Sequence, residues 1–382
     1  MKYCKRCVMP DTKPDLVLDK AGVCNACRSF EHRKNVNWEE RKKELLAIVK
    51  RYRSDGGGQW DCIVPVSGGK DSTYQVVRML QLGLNPLCVT ATTCHLSDIG
   101  KRNIRNLKSL GVDHIQFSPN LAVRAKLNKI GMTQVGDISW PEHVGIFTIP
   151  VTVAVNYKIP LIVWGENPQN EYGGPAAGSK NNVLTRQWLE EYGGLLGLRV
   201  SDIIGLEGIT QKDLIPYQYP SDQELKHAKV TGIFLGHYIP WDGYSNALIS
   251  QGFGLETQPH TIEGSIVNYE NLDNYQTGIH DYFKFLKFGF GRASDLASLH
   301  IRRGRITRQD GIQLVNKHDG KFPWSYLELP LEEILKPLDM SVEEFIKICD
   351  KFTNKKLFKT NTRGELVKDK YQNLIKLYEP EL

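Results

Sequence analysis

Ile63-Val64-Pro65-Val66 runs directly into Ser67-Gly68-Gly69-Lys70-Asp71-Ser72. An apolar strand, a glycine turn and a helix start, in that order, make a phosphate-binding geometry. The first N–H groups of the helix point outward, and its dipole adds positive potential. Two adjacent glycines let the backbone approach an anion closely. Ser67 and Ser72 add hydroxyl donors and Lys70 adds charge. This is not a Walker A loop, in which Gly-Lys precedes Ser or Thr. Asp71 follows Lys70 here, and Val64 stands where the first glycine belongs. The Gly-x-Gly-x-x-Gly dinucleotide pattern is also missing. The plainer alternative is an ordinary strand-to-helix turn.

A second group of chemical residues lies near the N-terminus. Cys4-Lys5-Arg6-Cys7 and Cys24-Asn25-Ala26-Cys27 are two Cys-x-x-Cys pairs separated by residues 8–23. That spacing falls in the zinc-ribbon range. Each pair can grip one side of a tetrahedral ion, and four filled positions imply a structural Zn2+. A redox pair or an iron–sulfur site is the alternative. Of the other four cysteines, Cys62 and Cys88 fall in apolar strands and read as core. Cys94 follows a strand near the phosphate loop and could be chemical, and Cys349 lies in a helical segment.

These groups need elements to position them. Asn37 and Glu40 read as a capping box opening a helix over 38–52. Short apolar strands at 62–66, 87–91, 114–117 and 161–164 alternate with helices at 71–82, 97–110 and 142–157. A further strand reads at 230–235. The pattern implies a parallel twisted α/β sheet with helices on both faces. Residues 165–197, rich in Gly and Asn, read as a long active-site loop. From 277 onward the chain reads as helical, near 277–288, 292–302, 307–318, 341–350 and 365–376. The predicted domains are a cysteine knuckle over 1–36, an α/β domain over 37–275 and a helical region over 276–382.

Composition excludes some classes. A 41% hydrophobic content can build a full core. The net charge of +6 on 382 residues suits an anionic small substrate and is too small to call for nucleic acid. Apolar runs stop far short of the roughly 20 residues of a membrane span. No signal peptide follows Met1, so a cytoplasmic protein with reduced thiols is expected.

The hexapeptide resembles the Ser-Gly-Gly-x-Asp-Ser loop of the ATP pyrophosphatases, the PP-loop superfamily. The resemblance implies an adenine nucleotide α-hydrolase-like, Rossmann-like fold. It also implies that Val66, Ser67, Gly68, Gly69, Lys70, Asp71 and Ser72 bind ATP, with Lys70, Asp71 and Ser72 catalytic and Asp71 helping to hold Mg2+. Thr90, Ala91 and Thr92 would border the adenosine, with Gly165, Glu166 and Asn167 across the crevice. Ligands in such sheets do bind at the carboxyl edge.

Further along, Tyr3-Cys4-Lys5-Arg6-Cys7-Val8-Met9-Pro10, Trp164-Gly165-Glu166-Asn167-Pro168 and Lys287-Phe288-Gly289-Phe290-Gly291-Arg292-Ala293-Ser294-Asp295 complete an ordered set. This set is similar to the N-acetyl sugar amidotransferases of lipopolysaccharide O-antigen and pseudaminic- or legionaminic-type sugar synthesis. The resemblance implies a nucleotide-linked acetamido sugar whose N-acetyl group becomes an acetamidino group. Neither a Cys after Met1 nor a Gly-x-Cys-x-Gly nucleophile is present, so ammonia comes from a separate glutaminase subunit or free from solution. Lys284, Lys287 and Arg292 could grip the sugar nucleotide, or line a solvated helix face. Arg302, Arg303, Arg305 and Arg308 read as a charged surface. Two rivals stay open at this stage, a tRNA-thiolating enzyme of the same superfamily and a non-catalytic nucleotide-sensing module.

Overall fold

The computed structural model describes residues 1–54, 59–166 and 195–380. Five strands build the central sheet: β1 (Cys62–Pro65), β2 (Pro86–Ala91), β3 (Asp113–Phe117), β4 (Leu161–Trp164) and β5 (Thr231–Phe234). Their order is β3-β2-β1-β4-β5, and every pairing is parallel. The chain therefore winds outward one way from β1 to β3 and the other way through β4 and β5. The reversal falls between β1 and β4, where a crevice opens at the strand ends.

Helices cover both faces. Cys62 and Val64 of β1 turn toward α2 (Trp38–Tyr52) and α3 (Lys70–Gln81), packing with Leu45, Val49, Val76 and Met79. Ile63, between them in sequence, turns to the other face and packs with Ile149, Val151 and Ala154 of α6 (Trp140–Tyr157). This is the period-2 alternation of a strand buried on both sides. The start of α2 has the Asn37 half of the predicted box, with the Asn37 side chain accepting from the Glu40 N–H at 3.2 Å. Ser97 likewise caps α4 (Asp98–Ser109), accepting from the Gly100 N–H.

The longest helix that the sequence reading did not predict is α5 (Leu121–Val135). Its polar and apolar residues do not form a single stripe, because its buried set includes Arg124 and Asn128 as well as Leu127 and Ile130. Its ends are nevertheless marked. Asn120 caps it, accepting from the Ala122 and Val123 N–H groups, and Gly136 closes it at φ +63°. Arg124 is 1% exposed and stands 3.3 Å from the Glu142 carboxylate of α6.

Short helices α7 (Asp222–Ala228) and α8 (Gly243–Gly252) flank β5, and α1 (Asn25–Arg33) follows the cysteine knuckle. The C-terminal part holds α9 (Thr277–Phe288), α10 (Arg292–Arg302), α11 (Arg308–His318), α12 (Leu331–Leu335) and α13 (Val342–Phe352). Its core of Phe283, Phe285, Leu286, Leu331 and Phe345 also takes in Ile99, Met132 and Ile138 from the α/β part. The helix predicted over 365–376 is absent. That stretch instead makes antiparallel bridges, Thr360 with Leu366, Lys368 with Leu374 and Phe358 with Lys376. Turns at Gly364 (φ +76°) and Gln372 (φ +68°) break the helical path there.

Removing one member of a buried ion pair strands its partner's charge. Arg124→Ala is therefore expected to cost about 3–5 kcal/mol, read as a lowered urea midpoint.

Candidate active site

The loop at 67–72 sits where the strand order reverses. Gly69 caps α3 in extended conformation, leaving the first N–H groups of the helix facing the crevice. Gly68 has φ +83°, and a Cβ there would lie 2.9 Å from the backbone nitrogen and Cγ1 of Ile104 in α4. No other residue fits this position without moving α4. The Ser72 hydroxyl donates to the Gly69 carbonyl at 3.1 Å, tightening the first turn.

Lys70 is 7% exposed, and its ammonium lies 2.8 Å from Glu270 and against the Asp71 carboxylate. The Asn246 amide of α8 donates to the other Asp71 oxygen at 2.8 Å. Held this way, the carboxylate still has lone pairs to offer a cation. Ser250 of α8 donates to the Lys70 carbonyl at 2.7 Å. Thus α8, which no motif announced, braces the loop from behind.

Two cavities meet at the loop. The larger, about 330 Å³, is walled by Val89, Ala91, Ile146, Phe147, Trp164 and Phe234, with Ser67, Ser72 and Asp273 at its polar end. Apolar walls with a few convergent polar groups suit an aromatic base and its sugar. The smaller, about 30 Å³, is polar and takes in Lys70, Asp242, Tyr244, Glu270 and His300. Asp71 and Glu166 border both cavities. Their hard oxygens fit Mg2+, which would neutralise phosphate charge at that junction.

Of the residues expected to border adenosine, Ala91 lines the larger cavity. Thr90 is buried, bonding to the Val66 carbonyl at 2.7 Å and to His114 at 2.8 Å. The Thr92 carbonyl accepts from Arg124 at 2.9 Å, which ties the end of β2 to the buried Arg124–Glu142 pair. Gly165 and Glu166 lie on the far wall, and Asn167 is outside the described residues.

Lys284, Lys287 and Arg292 line neither cavity. Lys284 pairs with Asp295 at 2.6 Å, Arg292 forks onto Asp281, and Lys287 donates to the Val135 carbonyl. The run from Arg302 to Arg308 is not the charged surface its composition predicts. Arg303 and Arg305 both pair with Asp242, and Arg308 donates to the Cys7 and Cys4 carbonyls. The run is a set of staples joining distant parts of the chain.

Asp273 was missed because nothing in its local sequence marks it. Burial pushes its carboxyl up to about 6, with the Glu142 charge adding to the shift. Burial likewise pushes the Cys94 thiol up to about 11, away from a reactive thiolate.

The four N-terminal cysteines converge. All are buried, and their sulfurs lie within 4.8 Å of one another. Cys4 and Cys27 are 4.0 Å apart, and Cys7 and Cys24 are 3.7 Å apart. Zn–S bonds of about 2.3 Å in a tetrahedron place sulfurs about 3.8 Å apart, so the donors fit Zn2+. Backbone N–H groups of Arg6, Cys7 and Cys24 point at the Cys4 sulfur at 3.3–3.5 Å. Such bonds steady thiolate charge on a ligand.

Residues 263–374 match the family described as LPS biosynthesis protein WbpG-like, C-terminal domain. That span is well under half of the chain. No protein of curated function matches. Among solved structures, NMN synthetase from Francisella tularensis is similar at 14% identity, covering 50% of this chain and 92% of its own, with a TM-score of 0.27. A likeness that slight carries no argument about chemistry. Among the described residues no helix is long and apolar enough to cross a membrane.

Two measurements check the site. Chelating the metal should lower the thermal midpoint and expose amides of residues 1–33 to exchange, because metal binding is folding energy for so short a segment. The second concerns Asp273. Its value in the fold, about 6, exceeds the ordinary 3.8. The fold therefore binds this proton more tightly than the unfolded chain, and stability falls as pH rises through that window. Asp273→Asn should flatten the fall in urea stability between those pH values.

Proposed function

We propose that this chain is an ATP-dependent amidotransferase, AMP- and pyrophosphate-forming, that converts the N-acetyl group of a nucleotide-linked sugar to an acetamidino group. The observation that carries the reading is the junction at Asp71 and Glu166, where an apolar, nucleoside-sized cavity meets a polar recess beside a phosphate loop. The WbpG-like C-terminal match adds a link to lipopolysaccharide synthesis.

An amide carbonyl is a poor electrophile, so activation must come first. In this reading the base of ATP lies against Val89, Phe147 and Trp164, and the phosphates reach the N-terminus of α3. The amide oxygen attacks the α-phosphorus, the bond to the β-phosphate oxygen breaks, and pyrophosphate leaves with its charge on the loop N–H groups. Ammonia then attacks the activated carbon. AMP departs with the former amide oxygen, the nitrogen sheds a proton, and an amidine remains. Asp273, at the cavity wall with a value near neutrality, is placed to receive that proton. The recess has room for a group the size of water or ammonia. A separate glutaminase subunit is the proposed ammonia source. Mg2+ at Asp71 and Glu166 would supply charge neutralisation. The raised Cys94 thiol counts against a thiolating enzyme, which needs a reactive sulfur.

The test supplies ATP, ammonium and a panel of UDP- and CMP-linked diacetamido sugars. Sugar-dependent AMP should appear, with a product lighter by about one mass unit as NH replaces oxygen. Asp71→Ala should lower AMP formation by at least about 100-fold while the thermal midpoint holds. Undiminished AMP formation in that variant would contradict the site. Binding of ATP with no turnover under any acceptor would favour a sensor.

A further inference from the structure

The corner between α5 and α6 holds a cluster that the ATP reading leaves without a role. Asp137, in the connecting turn, is 3% exposed. His143, in the first turn of α6, places Nδ1 3.3 Å from one of its carboxylate oxygens. His280, on α9, places Nδ1 2.7 Å from the other. The two rings meet edge to face, with centroids 5.2 Å apart. Ligand atoms of the three residues lie within 4.8 Å of one another.

We propose that Asp137, His143 and His280 form a second metal site, one that takes a zinc-class divalent cation and leaves its remaining position open to water. The grouping of the donors supports this. A buried carboxylate needs a counter-charge. Among the described residues, its ion-pair partners are these two imidazoles. The nearby Lys287 ammonium is engaged by the Val135 carbonyl at 2.9 Å.

The donor set agrees. Two imidazole nitrogens and one carboxylate oxygen suit borderline divalent ions. Metal–ligand bonds of about 2.0–2.1 Å place tetrahedral donors about 3.3 Å apart. His143 lies 3.3 Å from one Asp137 oxygen and His280 2.7 Å from the other, so an ion between the three residues would take both oxygens or draw the two nitrogens toward one. The Ser139 N–H donates to the Asp137 carboxylate at 2.9 Å and fixes its orientation. The imidazoles are about a quarter exposed, so an ion and its water can enter from solvent. Unlike the thiolate knuckle, the site has three protein ligands and stays open. It lies one turn of α6 from Ile146 and Phe147, which wall the nucleotide cavity. Through His280 the ion would also clamp the α/β part to the C-terminal helices.

The test uses the full chain, loaded with Zn2+, desalted and measured for metal by plasma emission. About two ions per chain are expected for the native sequence, and about one for His143→Ala and for His280→Ala. Loading with Co2+ separates the sites. Thiolate-to-cobalt absorption in the near ultraviolet reports the knuckle and should persist in both variants, showing that they fold around it. Weak visible bands without that absorption report the histidine site and should vanish. One ion per chain in the native protein would overturn the proposal and leave the cluster as a hydrogen-bonded latch. A second ion that survives both substitutions would overturn it as well.

Discussion

Gly68 lies so close to α4 that a single added carbon would collide with the Ile104 backbone. This approach sets the position of the first turn of α3, because the turn can go only where two helices and the end of β1 leave room for bare backbone. The direction of the outward N–H groups follows from it. So does the place of Asp71, the second residue of α3. The crevice then forms by topology, since the sheet reverses its winding beside this strand and no helix can cover the gap.

Charge holds the surroundings in register. Lys70 is turned into Glu270 and Asp71, Arg124 into Glu142 and the end of β2, and Arg303 and Arg305 into Asp242. The pairs to Glu270 and Asp242 link segments far apart in sequence, and most of the pairs are shielded from solvent. Ions buried in this manner contribute little net stability, but they strongly penalise any arrangement that separates them. They act as a registry system for a crevice assembled from β1, β2, β4, α8 and the segment at 270–273.

The strands and the glycine turn between β1 and α3 were legible because their signals are local. Alternating burial on β1, glycines at a strand-to-helix junction and paired cysteines need no knowledge of the rest of the chain. The bounds of β4, α9 and α10 could be read from apolar spacing and flanking glycine. Other features were illegible for physical reasons. In α5 the buried residues include an arginine and an asparagine whose partners lie on α6 and after β2, so the helix carries no apolar stripe. The stretch at 365–376 has apolar spacing that fits a helix, but its turns favour bridges. Asp273, Asn246 and Glu270 acquire meaning only from what the fold brings beside them. The arginine run looked like surface because its acceptors, Asp242 and two knuckle carbonyls, are distant in the chain.

The staple from Arg308 to the Cys4 and Cys7 carbonyls has a consequence for biosynthesis. The cysteines leave the ribosome first, and the guanidinium that seats them leaves about three hundred residues later. Metal can load the knuckle while the chain is still growing. Its docking platform, α10 and α11, does not yet exist at that point. The knuckle must wait as a tethered bead until α10 and α11 emerge, which makes its docking a late event in maturation.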